Sequence, residues 1–225
     1  MKLLDPGKKL FFLAGAILTG GIMIFSGCSP SNNKGSTTPT TPFNGLMPLA
    51  VGNYWQYSKV DYDSASGLPI DTVSDAINII SEVSVNGTAY YQQNQESITN
   101  IDAPSYFLNI DSNTVDKIDS AVQYTFFKRV TTDSSLQGSW PDTVTSRCKG
   151  NNLLVGFTDS LTIDGYECLH NEVQVNDCMG SEFEKWEYYL KPGLGLVRIQ
   201  LYKVNNNTGS FWLQFQEDLT AYHTD

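Results

Sequence analysis

From position 46 onward, apolar residues recur at short intervals, and turn-forming residues punctuate them every 8–15 positions. A helix needs an apolar stripe at i, i+3, i+4 and i+7, and no segment sustains one. The chain is rich in Tyr (12) and Phe (11), and also in Val, Ile and Thr. Such side chains suit a pleated, half-buried surface. The expected fold class is therefore all-β, a single curved antiparallel sheet or half-barrel. The pattern predicts strands at Tyr54–Tyr62, Val73–Val85, Thr88–Ser97, Tyr106–Ile110, Ala121–Thr131, Asp142–Cys148, Tyr166–Asn176, Ser181–Leu190, Leu196–Val204 and Ser210–Tyr222. Only Asp71–Glu82 is ambiguous and admits a helical turn.

The junctions carry turn chemistry. Asn86-Gly87 and Asp164-Gly165 suit two-residue hairpins. Asn205–Gly209 and Asp177–Gly180 suit longer ones. Pro192-Gly193 fits the centre of a type II turn, with proline at the second position and glycine at the third. In the last strand Phe211, Leu213 and Phe215 alternate with Trp212, Gln214 and Gln216. That spacing places the first three on one apolar face.

The N-terminus reads differently. Residues 1–9 hold three lysines, residues 10–25 hold no charge, and Ser26 and Gly27 precede Cys28. This is the layout of an export signal. As a permanent anchor, the sixteen uncharged residues would span about 24 Å of helix, short of a roughly 30 Å hydrocarbon core. Phe25-Ser26-Gly27-Cys28 resembles the bacterial lipobox, with Phe25 where leucine is usual. The resemblance implies a diacylglycerol thioether on Cys28, cleavage before it and an acylated amine, commonly palmitate. Two or three acyl chains anchor lastingly where one does not. Ser29 stands where aspartate would imply inner-membrane retention. The expected location is thus the cell envelope, and the outer membrane if the source is Gram-negative. Residues 28–45 are rich in Ser, Thr, Pro and Asn and read as a tether. The domains expected are a leader at 1–27, the lipidated cysteine and tether at 28–45, and one β-rich domain at 46–225.

The net charge is −10, and the leader's +2 leaves −12 on the remainder. Such a surface repels phosphate backbones, so no nucleic-acid partner is expected. The membrane contact expected is the N-terminal lipid.

A second resemblance spans nearly the whole β-rich domain. Met47-Pro48-Leu49-Ala50-Val51-Gly52-Asn53-Tyr54-Trp55-Gln56-Tyr57 is similar to the PL-x-x-GN-x-W-x-Y opening of many secreted bacterial lipoproteins. Tyr188–Arg198, with Pro192-Gly193-Leu194-Gly195, is similar to their Y-x-PG-[VL]-G-[LV]-V closing segment. Ile163–Cys168 resembles a strand start they often carry. The architecture this implies is similar to the curved half-barrels of carriers of the LolA/LolB type. A shared fold does not give function.

Candidate chemistry is sparse. Cys168, His170 and Glu172 share a strand face, but such neighbours stand about 7 Å apart, too far for a direct relay. His223 lies at the frayed C-terminus. No metal set and no cofactor motif is expected. Asp61–Ser64 and Asp111–Asp116 lack the glycine and terminal glutamate of a calcium loop. Glu182, Glu184, Glu187 and Lys185 read as solubility charge. After Cys28 is lipidated, Cys148, Cys168 and Cys178 remain, and any pair is legal, with Cys168–Cys178 slightly favoured across a hairpin. Trp55, Tyr57, Trp186, Tyr188 and Trp212 are the candidate ligand-facing aromatics, with core packing as the alternative.

The expected function is non-catalytic: a lipid-anchored module that binds or carries an apolar ligand. The alternative is a structural lipoprotein working through protein contacts in the envelope, and a hydrolase with perturbed carboxylates in a cleft ranks third. These expectations include no enzyme activity.

Overall fold

Alternating inward and outward side chains govern the whole architecture. A computed structural model of the chain describes residues 45–85, 87–95, 105–119, 122–132, 134–141, 150–177 and 179–224. All of them belong to one compact unit, Thr37–Asp225. They form β1 (Tyr54–Tyr62), β2 (Pro69–Val85), β3 (Thr88–Gln95), β4 (Ser105–Asp111), β5 (Thr114–Asp119), β6 (Val122–Lys128), β7 (Ser135–Pro141), β8 (Asn151–Ile163), β9 (Tyr166–Asn176), β10 (Glu182–Lys191), β11 (Gly195–Val204) and β12 (Phe211–His223). The sheet order is β6-β5-β4-β3-β2-β1-β12-β11-β10-β9-β8-β7. Every hydrogen-bonded neighbour is antiparallel, and the first strand pairs with the last. The sheet is nearly closed into a barrel, and its two free edges are the consecutive strands β6 and β7.

The expected all-β antiparallel class is what forms, and Asp71–Glu82 lies in β2 with no helical turn. Three strands go beyond the sequence pattern. β5 has only Val115 and Ile118, three apart, among charged residues, β7 carries Gly138 and ends on Pro141, and β8 holds Gly156 and a register shift. Glycine and proline lower strand propensity, and an edge strand tolerates them. The expected strand Asp142–Cys148 lies outside the described residues. So do Cys28, Cys148 and Cys178.

One correction concerns β12. Phe215 pairs with Leu201, yet Leu213 pairs with Tyr202, so Gln214 is an extra residue. Such a bulge reverses the facing of what precedes it. Phe215 lines the interior, whereas Phe211 lies under the Lys185 ammonium on the other face. The three apolar residues do not share a face.

The base of the barrel explains the two motif resemblances. Leu46, Met47 and Leu49 are buried in the same core as Trp55, Tyr57, Leu190 and Leu196. Gly193 N–H donates to Gly45 O at 3.1 Å, and Asn53 Nδ2 donates to Pro48 O at 3.0 Å. Trp55 Nε1 donates to Leu194 O at 2.6 Å, and Tyr57 hydroxyl donates to Leu196 O at 3.2 Å. Gly195 has φ +107, and a Cβ there would meet Trp55 Nε1 at 2.7 Å. The opening and closing motifs are thus the two halves of one plug. Glycine serves at 195 because both the backbone conformation and the indole exclude a side chain.

Side chains stitch the open seam. Tyr124 of β6 stacks on Trp140 of β7, with centroids 4.4 Å apart. Asn171 of β9 accepts from Lys128 N–H at 2.7 Å and donates to Lys128 O at 3.1 Å. Val130 fills the space beside Gly156, where a Cβ would meet it at 2.3 Å. Asn171→Ala should cost about 2–3 kcal/mol, because it leaves backbone polar groups without partners in a buried site. Hydrogen exchange at the Lys128 amide should accelerate, and an unchanged rate would show that Asn171 does not hold the seam.

Candidate functional site

Between the plugged base and the opposite end of the barrel lies a cavity of about 500 Å³. Its walls are Ile77, Phe107, Phe126, Trp186, Tyr188 and Phe215, with Tyr124 and Trp140 at the seam. Period-two alternation puts these side chains inward from six strands. Trp186 and Tyr188 are therefore wall residues. Trp55 and Tyr57 lie beneath the cavity, hydrogen-bonded into the base, and do not line it. Trp212 lines a separate recess with Asp61, Tyr62 and Ile70.

The apolar wall also carries charge. Lys59, Lys117, Glu184 and Glu217 line the cavity. Glu217 is 2% exposed, and fully buried Asp75 stands beside it on β2, reached through a side-chain hydrogen bond. Asp75 Oδ1 accepts from Ala76 N–H at 2.7 Å. Burial, then the Asp75 charge and that hydrogen bond, push the Glu217 carboxyl up to about 8, while the Lys59 ammonium pulls it down. Two adjacent carboxyls cannot both ionise cheaply, and this adds to the burial that raises Glu217. The hydroxyl of Tyr57 below them is raised well above the usual phenol range by burial and by both acids.

These polar residues were not among the sequence candidates, although a signal was present. Lys59 follows Trp55 and Tyr57 at period two, Asp75 precedes Ile77 and Ile79, and Glu217 follows Phe215. A charge in phase with an apolar face is a buried charge.

The face bearing Cys168, His170 and Glu172 is the other one. His170 is sandwiched between Phe157 at 4.4 Å and Tyr189 at 4.8 Å, and its Nε2 is 4.0 Å from Glu187 Oε2. Burial pushes the Cys168 thiol up to about 11, so it is protonated at neutral pH and a weak nucleophile. Cys168 is a free, buried thiol, and its candidate partner Cys178 falls among the residues that are not described. The acids beyond β9 correct one expectation. Glu187 accepts from Lys185 at 2.9 Å and from Tyr189 hydroxyl at 2.6 Å, and Glu184 accepts from Trp186 Nε1 at 2.6 Å. They are bound into the sheet faces and do not act as loose solubility charge. The two acidic turns cap themselves: Asp63 Oδ1 accepts from Ser66 N–H at 2.8 Å, and Asp111 Oδ1 from Asn113 N–H at 2.7 Å. Among the described residues, no three His, Cys, Asp or Glu side chains converge as metal ligands.

No protein-family model matches the sequence, and no curated protein matches it significantly. Two solved structures are similar in outline. A candidate lipoprotein from Parabacteroides distasonis aligns over 80% of this chain and 98% of its own, with 9% identity and a TM-score of 0.42. A candidate exported protein with a YmcC-like fold from Bacteroides fragilis aligns over 80% and 99%, with 9% identity and a TM-score of 0.37. At that distance neither neighbour carries an argument about what this chain does.

Proposed function

We propose that this chain is a lipid-anchored envelope lipoprotein whose barrel binds an apolar ligand without chemical conversion. The observation that carries this reading is the cavity of about 500 Å³. Side chains of a small barrel normally fill its interior, and space left over suits one small ligand. The lipobox-like cysteine supplies the anchor, and the chain enters the barrel at the plugged base, through Gly45.

A hydrolytic reading would draw on the Asp75–Glu217 pair. It is the weaker one, because Asp75 does not line the cavity and is already engaged by Glu217 and the Ala76 amide. Two-carboxylate glycoside hydrolysis needs the carboxyls about 5 Å or more apart. Turnover of a chromogenic glycoside or ester panel that disappears in Glu217→Gln would establish it.

Native and denaturing mass spectrometry of the full chain, extracted from cells and held in amphipol, tests the carrier and the anchor together. The expected denatured mass lacks residues 1–27 and includes a diacylglyceryl group. The expected native mass exceeds it by a ligand that leaves on denaturation. A bare native mass sinks the carrier reading and turns attention to protein contacts at the β6 and β7 edges.

A further inference from the structure

Backbone hydrogen bonds join each strand to the next along the chain, and β12 to β1, with one exception. β6 and β7 are linked by residues 129–134, a connection short enough for a hairpin, yet among the described residues they form no ladder. Side chains hold that boundary instead. Toward the base it is pinned. Phe127 belongs to the same core as Met47 and Trp55, Asn171 bonds both the N–H and the C=O of Lys128, and Val130 fills the space beside Gly156. Farther from the base, the contact is the stack of Tyr124 on Trp140, with centroids 4.4 Å apart and planes 10° from parallel. Both rings line the cavity. We propose that this seam is the ligand's portal: β6 and β7 part at the Tyr124–Trp140 latch, and the pinned end is the hinge. This deepens the carrier reading and rests on it.

The cost of opening singles out this boundary. Parting any other pair of neighbours breaks a row of backbone hydrogen bonds and leaves their polar groups without partners. Parting Tyr124 from Trp140 gives up one aromatic pair, worth at most about tenfold in an equilibrium. The open seam is then a minor state that the folded chain visits repeatedly. The route also suits an apolar ligand. Tyr124 leads by period two to Phe126, whose ring meets Phe107 at 5.3 Å and Tyr188 at 4.8 Å. Trp140 packs in one cluster with Trp186 and Tyr188. A ligand passing between the latch rings therefore stays against aromatic surface from the seam to the cavity wall.

The test uses the full chain in amphipol and the neutral apolar probe N-phenylnaphthylamine. Stopped-flow energy transfer from Trp186, on the cavity wall, reads its arrival and departure. Tyr124→Ala should speed uptake and release together, each by about tenfold, and change the equilibrium affinity much less. A side chain that merely touches the ligand would raise the release rate and leave uptake as it was. Tyr124→Phe, which keeps the ring, should match the natural chain. A locking variant carries Tyr124→Cys and Trp140→Cys, with Cys148→Ser and Cys178→Ser. Joined by a short bismaleimide, it should take up and release the probe at least about tenfold more slowly than the same chain unjoined, because its only latch is then covalent. Unchanged rates in the alanine variant, a rise in release alone, or rates that ignore the cross-link would each overturn the portal and leave the carrier intact. Absence of energy transfer in the natural chain would overturn the carrier reading and the portal with it.

Discussion

Trp55→Ala is expected to destabilise the fold by about 4 kcal/mol. The indole is fully buried in the main core, and its removal opens a large void at the base. Truncating a buried tryptophan or phenylalanine typically costs about 3–5 kcal/mol, because transfer and cavity terms add. The variant also strips Leu194 O of its 2.6 Å hydrogen bond. Void and unpaired carbonyl lie in the same place, beside Gly195, whose left-handed backbone exists to admit that indole. Trp55→Phe should cost less, since it keeps most of the volume and loses the N–H. Urea unfolding with an unchanged slope is the measurement. A loss below about 1 kcal/mol for the alanine variant would mean that the plug does not hold the barrel closed.

Stability should fall as pH rises from about 5 to about 8. The Glu217 carboxyl is raised from 4.5 to about 8 in the folded chain, chiefly by burial and then by Asp75. The folded state therefore holds a proton that the unfolded state releases. Its contribution is fully present below the unfolded value and is lost as pH climbs to the folded one. The loss is about 5 kcal/mol at most, since coupling to Asp75 makes the full shift a ceiling. Glu182, raised by burial and by Glu172, acts in the same direction from a more exposed position. Glu187 is lowered by its bonds to Lys185 and Tyr189 against the effect of burial, and it affects only more acidic pH. Urea unfolding across this range should show the decline in the natural chain and a much flatter profile in Glu217→Gln. A flat natural profile, or a slope that persists in the variant, would show that Glu217 is not the group that holds the proton.

The acid pair also shows why the site was harder to read than the fold. Trp186 and Tyr188 announce an aromatic face by their spacing alone, and both reach the cavity. Trp55 and Tyr57 announce the same thing with equal force, yet they plug the base. The difference lies in the partners, Leu194 O and Leu196 O, some 139 residues away. Lys59, Asp75 and Glu217 look like surface charge when composition is the guide. Only phase with the neighbouring apolar residues marks them as inward, and in β12 that phase holds from Phe215 to Glu217 but not across the bulge at Gln214. The turns were legible because their cause is local. Asp164 and Gly165 both adopt positive φ, as does Gly193 after Pro192.

The sequence by itself determined the antiparallel β class, most strand positions and the hairpin turns at Asp164-Gly165 and Pro192-Gly193. Each follows from side chains within a few residues of one another: period-two alternation, and glycine, proline and aspartate at turns. Tertiary structure alone decided that β1 pairs with β12, that β6 and β7 meet through side chains without pairing, and that the opening and closing motifs meet as a plug. It alone decided that a carboxyl from β2 and one from β12 become hydrogen-bonded neighbours beside a cavity. Those outcomes depend on which distant strands become neighbours, and on the desolvation that follows when they do. Alternation tells a residue which side to face, and closure of the barrel tells it whom it faces.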